Sequence, residues 1–563
     1  MNKLLYTTAA ISSLLFSTGC IEETMPATDY VSKDQAANAP GSFDNFVKGI
    51  TGDLSGKFLY SQKGEFDAND FGYSAMMLSR DLLGNDIAAH ATNGWWDPWI
   101  QYSIALSPEY ASCQFTWTLY WGWIKSCNET IALAGDNINA NHRAGTGIAY
   151  AMRALYFLDL ARLYGVKPYT ADKNAITVPI VTEKTTVEES TNNPRATNEK
   201  IYAQIISDLN TAEGLLDGYT RDDKTTPDLS VVYGLKARAY LDMGEWALAQ
   251  EFAVKAQDGY AMMTQDEYLS RINGFNSPNS SWMLMTRFKA DDSNILDNDA
   301  DSSWGSWMVQ DMFHGDGMAG YASNYGFPLF IDYHLYQTIP SSDFRKKLWI
   351  DFSIADAQTQ EEAEEICANY SDYPDELASI VVPSTYEYAQ GGISVKFRPN
   401  PGDGDGITGR SNAKVGFCVA VPMMRVEEMK LIEIEAIGRQ NEGNGIAKLT
   451  EFALTRDPDY VYGRHNEAYG NTQTSAFINE VWWQRRVELW GEGMATFDIK
   501  RLQKGMIRSY AGSNHLEGYR WNFTETPQWM NYCIGGTDAI YNYAIIPTVY
   551  MNPPTSDSPE FAF

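Results

Sequence analysis

Between Trp117 and Gly259 apolar residues return at every third or fourth position, a spacing that an α-helix gathers onto one face. Trp117, Tyr120, Ile124, Cys127 and Ile131 form the first such stripe, and Ile148, Ala151, Met152, Leu155 and Leu158 the second. Tyr202, Ile205, Leu209, Ala212 and Leu216 form a third, and the stretch from Leu229 to Met243 carries a fourth. Helices therefore dominate this half of the chain.

The most specific pattern lies between Tyr233 and Gly259. Ala237, Tyr240, Gly244, Trp246, Ala249, Ala253 and Ala256 alternate small and large side chains as in a tetratricopeptide-type helical hairpin, where alanines let two helices approach closely. Gly244 is placed to end the first helix and Glu245-Trp246 to open the second. Met424 to Arg439 carries Val426, Met429, Ile432 and Ala436 on one face and Glu427, Glu428 and Glu435 away from it, as another such hairpin would. The expected fold is all-α: tetratricopeptide-like hairpins forming one bundle scaffold that joins both halves. Between Ala261 and Val421 the helical period fades into Gly, Asp, Asn, Ser and aromatic residues, a loop-rich region suited to a variable ligand face.

The N-terminus sets the compartment. Lys3 precedes a mostly apolar stretch, Leu4 to Phe16, that is shorter than the roughly 20 residues needed to cross a bilayer. Ser17-Thr18-Gly19-Cys20 follows, so the segment reads as a secretory signal whose Cys20 would be lipidated, with Ser17 where such sites usually carry Leu. Ordinary cleavage beside an incidental cysteine is the plainer alternative. The chain divides on this reading into a signal at 1–19, a lipidated tether at 20–45, a helical region at 46–260, the loop-rich insertion at 261–420 and a second helical region at 421–563. A net charge of −29 makes nucleic acid a poor partner. The cysteines after Cys20 form no CxxC or Cys/His cluster, so no zinc site is expected, and their pairing is not readable from sequence.

Ordered blocks along the chain resemble the SusD/RagB family. They are Tyr120-Trp121-Gly122-Trp123-Ile124 with Asn128, then Ala149 to Tyr156 and Asp159 to Gly165; Arg195-Ala196-Thr197 leading to Ile201-Tyr202 and Ile206 to Leu209; Ala237 to Leu241; and Arg485 to Gly493 with Asp498 and Arg501. The closing block, Ile546-Pro547 then Asn552-Pro553, departs from the pattern at Tyr550, where the family often has Glu. Ile21-Glu22-Glu23 resembles the acidic tag of surface-exported Bacteroidetes lipoproteins. The resemblance implies an outer-membrane, lipid-anchored protein facing the cell exterior. It also implies that the protein binds oligosaccharide, or peptide in some members, without cleaving it, and caps a SusC-like TonB-dependent barrel as a lid.

Two aromatic groups are the candidate ligand contacts. Trp95, Trp96 and Trp99 crowd a Gly94 and Pro98 loop, and three indoles so close cannot easily share one core; Arg80, Asp81 and Asn93 flank them with a guanidinium, a carboxylate and an amide suited to sugar hydroxyls. Trp304, Trp307, Tyr321 and Tyr325 form the second group, set among Gly305, Gly320 and Gly326. Flat rings suit sugar C–H faces, and the competing reading for each is packing, or a surface ion pair for Arg80 and Asp81.

No catalytic set is expected. Arg485 with Glu488, and Asp498 with Arg501, stand at spacings that pair on one helix, which leaves Glu492 and its neighbours a structural role. Gly404 to Gly409 matches GxGxxG but precedes no helical pattern, and neither HExxH nor GxSxG occurs. Asp297, Asp299 and Asp301 alternate like calcium ligands, yet Ser302 and Met308 replace the glycine and glutamate an EF-hand needs, so no cofactor is expected beyond an irregular Ca2+ site as a remote alternative.

Overall fold

The computed structural model describes residues 41–57, 67–89, 95–102, 108, 110–315, 317–381, 390–404, 406–467, 474–536, 538–545 and 552–563. The signal, Cys20, most of the tether and Asn93 lie outside these residues. Among the described residues, helices of eleven or more residues carry the architecture. They are α1 (Ser42–Gly52), α2 (Gly72–Leu82), α3 (Ala111–Ala134), α4 (Arg143–Tyr164), α5 (Asn198–Leu216), α6 (Leu229–Met243), α7 (Trp246–Ala256), α8 (Val426–Gln440), α9 (Glu442–Leu454) and α10 (Ala476–Glu488). The fold is all-α in character, with three small antiparallel strand pairs. Ile87–Ala88 (β1) pairs with Phe330–Ile331 (β3), Trp282–Arg287 (β2) with Ala420–Arg425 (β4), and Met506–Ile507 (β5) with Asn522–Phe523 (β6).

α5 shows how local sequence sets an element. Thr197 precedes it in extended backbone, and its hydroxyl accepts from Lys200 N–H, satisfying one of the donors a helix leaves open at its start. Ile201, Tyr202, Ile205, Leu209, Ala212 and Leu216 then bury one face, against α4. α4 goes further than its stripe predicts. Its residues are buried on all sides, as in a central helix, so its ionised groups must be paired. Arg153 holds Asp208 of α5 through contacts of 2.7 and 2.8 Å and also donates to Asn128 and Glu183. Asp159 accepts from Arg80, Tyr73 and Tyr120.

The expected hairpin is α6 and α7. Asp228 caps α6 by accepting from Val231 N–H, and Gly244 ends it in the left-handed region at φ 74°, where a side chain would be strained. Ala237, Ala249, Ala253 and Ala256 are fully buried along the hairpin. α7 packs on α8, which turns into α9 as the second hairpin. A Cβ on Gly445 would stand 2.4 Å from Gly438 Cα, so this crossing needs a glycine at 445, while a Cβ on Gly438 would run into the Phe477 ring of α10. Arg238 of α6 grips Glu428 of α8 in a buried fork of 2.6 and 2.7 Å, and β2 pairs with β4. Both halves thus enter one bundle, and the main apolar core runs from Ile50 to Ile545, with a smaller cluster around Ile350, Cys367 and Val395 in the insertion.

The charged block near α10 is structural, with one pairing different from expectation. Asp498 does hold Arg501 at 2.7 Å, but Arg485 turns to Asp498 at 2.6 Å rather than to Glu488. Glu488 faces Arg345 at 3.0 Å and Arg456 at 3.2 Å, brought from distant segments. A helical spacing permits a local pair but does not compel one when buried cations compete for the carboxylate. Glu492 is held by Lys396 and Arg425.

Candidate ligand platform

The two aromatic groups marked in the sequence meet in space. Trp307 lies in the short helix Trp304–Met308, which Ser303 caps by accepting from Ser306 N–H. Ser306 Oγ accepts from Tyr321 N–H at 2.7 Å and so ties that helix to the next one, Tyr321–Asn324. The two approach so closely that a Cβ on Gly320 would fall 2.4 Å from Ser306 Cα. From the other side of the sequence, Asn69 Nδ2 donates to Trp95 O at 2.9 Å and fixes the chain just ahead of the turn Asp97–Ile100.

The result is a run of rings that passes from core to surface. Trp96 meets Trp307 edge-on with centroids 5.8 Å apart, Trp307 meets Tyr321 at 5.2 Å, and Tyr321 meets Tyr325 at 4.5 Å. Trp95 stands edge-on to Tyr321 at 6.4 Å, and Phe327 stacks on it from 6.2 Å. Trp96 and Trp307 are buried, Trp95 and Tyr321 half-buried, and Tyr325 is 59% exposed. Rings that are backed by other rings keep their orientation when the outer face is wet. Burial pushes the Tyr321 phenol up, so it stays neutral and serves as a donor and acceptor rather than a charge.

Several candidate residues take packing roles. Trp96, Trp99, Trp304 and Trp307 are buried to within 1% exposure, Trp304 against Phe397 and Trp307 with its indole N–H donating to Ala68 O at 2.8 Å. Arg80 and Asp81 are buried too and do not form a surface pair. Arg80 bonds Asp159 at 3.0 Å and lies over Tyr73 and Phe497, while Asp81 accepts from Gly493 and Ala495 N–H. Burial pushes Asp81 up to about 7. These six side chains have no free face to offer a ligand, because the tertiary contacts that form around them are long-range. Trp95, Tyr321 and Tyr325 remain as the candidate platform. Phe327 and the Ser306 tie were not singled out from sequence; the aromatic spacing Tyr321, Tyr325, Phe327 was the available signal.

The three aspartates that alternate like calcium ligands stand nearby on the chain. Asp297 meets Lys57 at 2.5 Å, Asp299 lies 3.9 Å from Lys414, and Asp301 accepts from Asn298. Burial, with the Asp299 charge beside it, pushes Asp301 up to about 7.

A largely helical bundle with tetratricopeptide-like hairpins and an aromatic cluster among its short elements defines a recognisable class of scaffold. Residues 75–241, from α2 through α6, match the family SusD-like_3, described as starch-binding associating with outer membrane. The fold is shared with solved structures over most of the chain. A SusD-like carbohydrate binding protein from Bacteroides vulgatus is 23% identical, with 90% of this chain and 97% of that one covered and a TM-score of 0.67. A SusD superfamily protein from Bacteroides thetaiotaomicron is 20% identical, with 92% and 100% covered and a TM-score of 0.64. Surface glycan-binding protein A from Bacteroides fluxus is 14% identical, with 92% and 99% covered and a TM-score of 0.57. No curated protein matches the sequence. Residues 75–241 thus match a SusD-like family model and the chain shares the fold of SusD superfamily structures, the resemblance its sequence blocks imply. Among the described residues no helix is long and apolar enough to cross a membrane.

Proposed function

We propose that this protein is a cell-surface glycan-binding lipoprotein that captures oligosaccharide on the Trp95, Tyr321 and Tyr325 platform and passes it, uncleaved, to a SusC-like TonB-dependent barrel. The observation that carries the reading is the exposed Tyr325 ring, backed by Tyr321 and Trp95, on a SusD-like scaffold. A hexose offers one face rich in C–H groups, and a flat ring beside it gains apolar contact while the hydroxyls at the sugar's edge stay hydrated or meet polar groups. An open, wet platform of this kind holds a single chain weakly, which suits a protein that must release its cargo.

Support for the location comes from the signal-like N-terminus with Cys20 and from the family's description as associating with the outer membrane. The partner barrel and the lid motion follow from the family resemblance. The absence of chemistry follows from the same source, and Glu488, Glu492 and Asp498, the carboxylates most reminiscent of an acid pair, are each held by buried cations.

Calorimetric titration of the chain lacking its first 20 residues against a panel of plant and host glycans tests the reading. At least one glycan should bind, Tyr325→Ala should weaken it about tenfold, equivalent to about 1.4 kcal/mol, and the glycan should be recovered at its original length. Binding of peptides only would move the cargo to the peptide class of the same family. Steady release of reducing ends, lost on changing one carboxylate, would establish a hydrolase instead.

A further inference from the structure

Five cysteines fall among the described residues, and two of them meet. Cys113 lies in the first turn of α3, and Cys533 lies in the C-terminal segment. Two backbone ties bring that segment alongside: Tyr532 N–H donates to Leu163 O at 2.9 Å, and Gly536 N–H donates to Pro108 O at 2.7 Å, just ahead of α3. One turn further along α3, the Trp117 side chain faces Asp538. Between these ties the Cys113 and Cys533 side chains come together, each acting on the other's thiol. Both side chains are buried, at 3% and 8% exposure, in the main apolar core.

The other cysteines are placed differently. Cys127 lies 14 residues along α3 from Cys113, about 21 Å at 1.5 Å per residue. Cys367 belongs to a separate apolar cluster, and the Cys418 thiol donates to Lys414 O at 3.2 Å.

We propose that Cys113 and Cys533 are a built disulfide site, closed when the protein meets a disulfide oxidant, which joins the C-terminal segment covalently to the head of α3. Cys533 is the more exposed of the two, at 8% against 3%, so an oxidant reaches its sulfur first and Cys533, once deprotonated, is the attacking sulfur. Its thiolate attacks an oxidant R–S–S–R, forming a mixed disulfide and expelling RS−, which takes up the proton Cys533 gave to solvent. Cys113 then loses its proton and attacks the Cys533 sulfur, expelling the second RS−, which is protonated in turn. One S–S bond and two S–H bonds break, one S–S and two S–H bonds form, and two electrons pass from the protein to the oxidant. Because the bridge spans most of the chain, it restricts the unfolded ensemble strongly.

The test uses the full chain incubated with oxidised glutathione at about pH 8, alkylated in denaturant, digested and mapped by mass spectrometry. The peptides bearing Cys113 and Cys533 should be recovered linked, with Cys127, Cys367 and Cys418 alkylated. Separate alkylation of Cys113 and Cys533, or Cys533 held as a stable glutathione adduct, would overturn the proposal. A second readout needs no variant: the oxidised protein should melt roughly 2–4 °C above the same protein kept in reductant. Equal melting temperatures for the two forms would count against it. In Cys113→Ser the oxidised and reduced forms should melt together, and a difference that survives this change would place the bridge elsewhere.

Discussion

At the scale of single residues, neighbours in sequence can have opposite roles. Trp95 and Trp96 are adjacent, yet one borders the surface and the other is sealed between Trp99 and Trp307. Trp96→Ala should therefore cost stability, about 3–5 kcal/mol by urea unfolding, while leaving the affinity of the folded fraction near wild type. The crowding of three indoles in five residues announced that they could not all be alike, but which ring turns outward is decided by Trp307 and Tyr321, more than 200 residues away. Arg80 and Asp81 failed as ligand candidates for the same reason, since Asp159 and the backbone at Gly493 enclose them.

A second residue-scale prediction concerns Glu435. Burial alone would raise its carboxyl, but the Arg501 guanidinium bonds it through two contacts of 2.8 Å and holds it down at about 2. The folded state therefore keeps this group ionised to lower pH than the unfolded chain, whose value is near 4.5. Its contribution to stability is complete above pH 4.5 and is lost as pH falls from there toward 2. In urea unfolding followed over that range, Glu435→Gln should reduce the slope of stability against pH by up to one proton. An unchanged slope would show that the pair is not formed.

At the scale of elements, long regular pieces were legible and short irregular ones were not. The stripes on α3, α4 and α5 and the hairpin α6–α7 fall where the apolar spacing put them, because each helix buries at least one apolar face that fixes its register, α4 on all sides. The helices Trp304–Met308 and Tyr321–Asn324 are too short to show a period, and their relation depends on the Ser306 tie. Gly320 matters only through that relation. Gly320→Ala should drive Tyr321 off Ser306 and weaken glycan binding several-fold, read by calorimetry, with the helical circular dichroism spectrum unchanged. Gly445→Ala acts on a different contact: it should separate α9 from α8 and destabilise the protein by about 1–3 kcal/mol, measured as a lower urea midpoint, with ligand affinity intact.

At the scale of the whole molecule, the helical regions and part of the insertion share the main core, so the candidate platform rests on a packed frame even though its residues come from short, irregular elements. The frame was readable from sequence because its blocks recur in order along the chain; the platform was readable only as a list of aromatic candidates from which the fold selects. An acidic surface with a net charge of −29 would also favour neutral or cationic cargo over polyanionic glycans, an expectation a glycan panel of mixed charge would check through the preference for uncharged chains. The claim that most needs testing is that sugar sits on Trp95, Tyr321 and Tyr325. A crystal structure of the protein with its tightest-binding oligosaccharide would decide it. The account predicts a sugar ring lying flat on Tyr325 with its edge toward Trp95; an oligosaccharide bound instead in the open groove beside Thr182, Thr185 and Asn192, where no aromatic ring lines the floor, would contradict it.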